Sequence, residues 1–77
     1  MNEHSHKVGD LVLANYSSKR SSDPNYSLGY IQGLDVDFYD ACLYHIYWFD
    51  DGTIHRNVDE HQVNAYRKLY KDKYGKT

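Results

Sequence analysis

Five histidines, one cysteine and eleven acidic side chains are the groups in this 77-residue chain that could support catalysis or bind a metal. Catalysis needs a nucleophile beside a base, or paired carboxylates in a cleft. Cys42 and His45 stand three apart in a β-type segment, and alternation puts them on opposite faces of a strand. Asp50 and Asp51 precede Gly52, where turn formation accounts for them. His4 and His6 sit in a polar lead-in, and His45, His55 and His61 lack both a cysteine partner and the close His-His spacing of a structural zinc site. The expectation is a chain with no catalytic residues, no metal and no cofactor.

The aromatic and basic residues carry a different chemistry. Nine tyrosines, two phenylalanines and Trp48 are set in a chain with few aliphatics. Ring faces attract cations, and large rings dominate cores and interfaces. The aromatic surface expected to bind consists of Tyr16, Tyr26, Tyr47, Trp48 and Phe49, with Asp51 and His55 beside it. A basic patch is expected from Lys19 and Arg20 in a loop and from Arg67, Lys68, Lys71 and Lys73 near the C-terminus. Such a patch can follow phosphates while Tyr26 or Tyr66 stacks on bases. The net charge of −2 opposes general duplex binding, because phosphate neutralisation supplies most of that affinity.

Seventy-seven residues make one domain that buries only roughly 60% of its unfolded surface, so the core must be small and aromatic. One cysteine allows no internal disulfide, which fits a reducing compartment. No apolar run approaches the roughly 20 residues of a membrane span, and the polar start lacks the apolar stretch of a signal peptide. The expectation is an intracellular, cytoplasmic or virion-associated protein with no membrane contact.

Several short elements must position these groups. Residues 1–6 read as a flexible lead-in. Leu11 to Tyr16 is too short for a helix and rich in β-formers, so it reads as a strand. Ser17 to Ser27 is a turn-rich loop, and Leu28 to Leu34 a second strand bent at Gly29 and Gly33. Asp35 to Asp40 makes an acidic-rimmed turn, and Ala41 to Phe49 the strongest strand. A type I′ turn at Asp51-Gly52 returns the chain along Thr53 to Val58. That register sets Phe49 opposite Ile54, Trp48 opposite His55, Tyr47 opposite Arg56 and Ile46 opposite Asn57. One face then carries Tyr47, Phe49, Ile54 and Val58, and the other Tyr44, Ile46 and Trp48. A ribbon oily on both faces must bury one in its own core and have the other covered by a helix, another chain or a ligand. A 3₁₀ turn over 59–62, a fifth strand over 63–65 and a basic, tyrosine-rich helix or tail over 67–77 complete the reading, with Tyr66, Tyr70 and Tyr74 at helical spacing.

The pattern Val8-Gly9-Asp10-Leu11-Val12, Gly29-Tyr30-Ile31, Tyr44 to Gly52 and Val58…Val63 resembles Tudor and related SH3-like barrels over residues 8–65. The fold implied is an all-β, five-stranded SH3-like barrel over residues 7–66 with a short C-terminal helix. The resemblance also implies an aromatic cage for methylated lysine or arginine, with Tyr16, Tyr26 and Tyr47 or Phe49 as rings and Asp50 or Asp51 as the acidic neighbour. The same strand pattern resembles small stand-alone proteins of tailed bacteriophages, in which a strand ends in Trp-Phe-Asp-Asp-Gly or a close relative. The function expected first is non-catalytic: a protein-interaction or structural module of viral type that binds itself or another protein through its aromatic hairpin. A methylated-peptide reader is the second expectation, and single-stranded nucleic-acid binding the third.

Overall fold

A computed structural model describes residues 3–16 and 25–75, apart from the side chains of Tyr16 and Asn25. The chain forms β1 (Leu11–Tyr16), β2 (Asn25–Val36), β3 (Cys42–Trp48), β4 (Ile54–Asp59) and α1 (Glu60–Tyr74). The strands pair antiparallel in sequence order as one open, four-stranded sheet whose edges are β1 and β4. Among the described residues no helix is long and apolar enough to cross a membrane.

The expected 3₁₀ turn and fifth strand are replaced by α1. Residues 60–74 contain no glycine or proline, and Val63 and Tyr66 recur at helical spacing against the sheet. Asp59, the last residue of β4, also caps the helix: its carboxylate accepts from the Gln62 amide at 2.7 Å. At the other end Gly75 donates to the Lys71 carbonyl. Glu60 in the first turn and Lys71 and Lys73 in the last complement the helix dipole. The strand pattern of 63–65 was too short to separate strand from helix; burial of Val63, which is fully enclosed, decides it.

The helix packs on one face of the sheet over Val12, Ile31, Cys42, Tyr44, Ile46 and Trp48, with Ala14, Val58 and Tyr66 at the margin. Strict alternation along β3 sends Cys42, Tyr44, Ile46 and Trp48 into this core and leaves Leu43, His45 and Tyr47 half-buried. Gly29 is required here: a Cβ would stand 2.5 Å from the Tyr47 carbonyl and 2.8 Å from the Trp48 ring. The lead-in is tied down by three side chains. His4 bonds the Asp35 carbonyl at 2.7 Å, His6 bonds Asn64 at 2.7 Å, and the Ser5 amide donates to Glu60 at 3.1 Å.

The β3–β4 register differs from the one expected. Tyr47 pairs with Ile54 and Ile46 with His55, so the ladder has moved by two residues. Asp51 does not adopt a positive φ; its carboxylate instead accepts from the Thr53 amide and hydroxyl, at 3.1 and 2.7 Å. Only Gly52 is left-handed, at φ 71°, and the connection is longer than a two-residue turn. An even shift preserves the faces, so Tyr47, Phe49 and Ile54 still share one. A bulge between Tyr44 and Ile46, with Asn57 at φ 59°, then turns Val58 to the helix side opposite Tyr44.

Candidate functional site

The hairpin presents two distinct surfaces. On the helix side, the end of β3 forms a cleft of about 360 Å³. Its aromatic wall is Trp48, 4% exposed, with Tyr66 meeting it edge-on at 5.4 Å between centroids. Trp48 Nε1 donates to His55 Nδ1 at 3.0 Å, an arrangement that leaves the neutral imidazole's proton on Nε2. The buried Ser27 hydroxyl donates to Asp50 at 2.7 Å. The Thr53 hydroxyl, then its amide, hold the Asp51 carboxyl below the usual carboxylate range. Asn15 and Gln62 add amides to the lining. An aromatic wall with two carboxylates at its mouth suits a cationic, partly apolar group.

On the opposite side, the register aligns Leu11, Tyr30, Tyr47 and Ile54 directly across all four strands. Leu13 and Leu28 pair beside them, and the Phe49 amide donates to the Leu28 carbonyl. Tyr30, Tyr47 and Phe49 form a closed triad with centroids 5.6, 5.6 and 5.7 Å apart. Rings at that spacing touch one another, so the triad is a continuous aromatic patch. Phe49 is 51% and Ile54 39% exposed.

Comparison with protein-family models, curated proteins and solved structures gives no match. The chemistry of the two surfaces is therefore read from their residues alone. Trp48, Asp51 and His55 of the expected binding set meet in the cleft, whereas Tyr47 and Phe49 point to the other face. Tyr26 lies elsewhere, with Lys73 Nζ 4.4 Å from its ring centroid. The Tyr16 side chain, Lys19 and Arg20 lie outside what is described. Of the remaining basic patch, Arg67 turns inward and donates to the Leu11 carbonyl at 2.6 Å, while Lys68 and Lys71 are exposed. Cys42 is buried in the core, where burial and then the Glu60 charge push its thiol up; His45 points to the other face and meets Asp35 at 3.5 Å.

Sequence reading missed Ser27 and Tyr66 in the cleft and Tyr30 in the triad. Ser27 falls in the expected loop, and Tyr66 in the expected helical stripe with Tyr70 and Tyr74 rather than in the expected binding surface. Tyr30 had a usable signal: it precedes the core residue Ile31, and alternation places it on the uncovered face.

Proposed function

We propose that this chain is a non-catalytic protein-interaction module that binds itself or another protein through the open face of its sheet. The observation that carries this reading is the apolar row Leu11–Tyr30–Tyr47–Ile54 with Phe49 beside it, on the side away from α1, where Leu11, Tyr30 and Tyr47 are half-buried and Ile54 and Phe49 exposed. Contiguous apolar patches of this kind mark interaction sites, and Tyr and Phe are enriched at the centres of interfaces. Phe49→Ser with Ile54→Ser tests it, because both side chains are exposed at the patch and lie outside the core, with circular dichroism and thermal melting confirming that the variant stays folded. Light scattering after gel filtration in high salt, together with a pull-down, should show the wild type as a multimer or with a retained partner, and the variant without either. A strict monomer that retains no partner, or a variant that behaves as wild type does, would overturn it.

The second reading is a reader of methylated lysine or arginine peptides. It rests on the cleft, where Trp48 and Tyr66 meet at 86° beside Asp50 and Asp51. It also rests on the resemblance to Tudor and SH3-like barrels, in which this sheet would be a four-stranded relative with α1 in place of the closing strand. Methylated peptides should move the Trp48 indole N–H resonance, and an unmoved resonance at saturating peptide removes the reading. The resemblance to small bacteriophage proteins supports a virion-associated or cytoplasmic setting.

A further inference from the structure

The turn between β2 and β3 exposes two rings on a rigid support. Phe38 is 103% and Tyr39 88% exposed, which is full contact with water for both. Their backbone is nevertheless fixed. Asp37 Oδ1 accepts from the amides of Tyr39 and Ala41 at 2.8 and 2.9 Å, the Asp37 amide donates to the Ala41 carbonyl at 3.1 Å, and the Asp40 amide donates to the Asp37 carbonyl at 3.2 Å. A preformed turn of this kind loses little conformational entropy on binding. Asp35, Asp37 and Asp40 make the tip negative, and a shallow groove of about 450 Å³ lined by Val36, Phe38 and Leu43 lies beside it.

The complementary surface lies at the other end of the same molecule. β2 runs the twelve residues from Asn25 to Val36, roughly 36 Å at about 3.3 Å per residue, and the molecule is 43 Å long. At the Asn25 end, Lys73 of α1 reaches the Tyr26 ring, so the C-terminal turns of the helix lie opposite the acidic tip. Lys68, Lys71 and Lys73 there outnumber Asp72, and Tyr74, 53% exposed, pairs with Tyr70 at 5.2 Å. One end is acidic with bare aromatics and a groove; the other is basic with a protruding ring.

We propose that the Phe38–Tyr39 tip of one copy docks against the basic, tyrosine-bearing end of α1 in a second copy. The contact is head-to-tail, so repetition gives rings or open filaments rather than a two-fold dimer. Two rings bring on the order of 300–500 Å² of contact, well below the roughly 1,600 Å² of a standard stable interface. The association is therefore driven by concentration, and salt weakens it by screening the unlike ends. It uses neither the open sheet face nor the cleft.

Sedimentation velocity over rising concentration tests this with two variants that touch no core residue: Phe38→Ser with Tyr39→Ser, and Lys68→Glu with Lys71→Glu. The wild type should gain average mass with concentration and lose it in high salt. Each variant alone should show a reduced, salt-insensitive gain or none. Mixed in equal amounts, the two should form a one-to-one complex that grows no further by this contact, since only one productive contact remains. Phe49→Ser with Ile54→Ser should leave this salt-sensitive growth intact, which separates it from association through the sheet face. A wild-type mass independent of concentration, growth insensitive to salt, or a mixture with no one-to-one complex would each overturn the proposal.

Discussion

Replacing Tyr44 by phenylalanine should remove one hydrogen bond and leave the packing of the core almost unchanged. Tyr44 is fully buried in the middle of β3, and its hydroxyl donates to Glu60 Oε1 in the first turn of α1. The Ser5 amide donates to the same oxygen, and the His4 and His6 rings pack on Tyr44 at 5.1 and 5.6 Å. This one hydroxyl therefore joins the lead-in, the sheet and the helix. A hydrogen bond to a charged group contributes about 1.5–3 kcal/mol. Glu60 is half-exposed, so water can replace part of what it loses, and the lower end applies. A loss of about 1.5 kcal/mol corresponds to a melting temperature lower by roughly 6–12 °C in a domain of this size. The pH dependence gives a second readout. The Tyr44 bond is the largest cause holding the Glu60 carboxyl below its usual range. A carboxyl lowered on folding stabilises above its unfolded value, and the contribution disappears as pH falls through the folded value. The gap between wild type and Tyr44→Phe should therefore be widest at neutral pH and close in acid. Burial, then the Glu60 bond, push the Tyr44 hydroxyl up, so in alkali the wild type should lose stability as that hydroxyl ionises, and Tyr44→Phe should lack this component. Urea titrations followed by the fluorescence of Trp48, the single tryptophan, measure all of this. Equal midpoints at neutral pH, or a gap that stays constant into acid, would refute the reasoning.

Gly29→Ala should destabilise the fold by about 1–3 kcal/mol and shift the Trp48 emission, because its new methyl group overlaps the Tyr47 carbonyl and the indole; an unshifted spectrum at wild-type stability would contradict the packing described. Cys42, enclosed beneath α1 with its thiol pushed up, should react with a thiol reagent more than about tenfold slower in the native protein than in denaturant. Equal rates would place the thiol in solvent.

Much of the fold is legible in local pattern. The runs Leu11 to Tyr16 and Ala41 to Phe49 are rich in β-formers and become β1 and β3, and alternation along β3 correctly separates Tyr44, Ile46 and Trp48 from Tyr47 and Phe49. The tyrosine spacing over 66–74 marks a helix, and Asp50 to Gly52 marks a hairpin. The cleft is half legible. Trp48, Asp51 and His55 stand close in sequence on one hairpin, whereas Ser27 and Tyr66 reach it from distant segments.

What the tertiary structure alone decided is which apolar face became core. Both faces of the β3–β4 ribbon attract a cover equally by composition, and α1 can bury only one. The choice follows from Asp59, which ends β4 and caps the helix at once, so that α1 starts beside Leu43 and lays Val63 and Tyr66 over Tyr44 and Trp48. Register was likewise settled by geometry: the carboxylate of Asp51 folds back on Thr53, and the Asn57 bulge redirects Val58. A sequence states each residue's preference for apolar surroundings, and contacts between segments far apart along the chain determine which preferences are met.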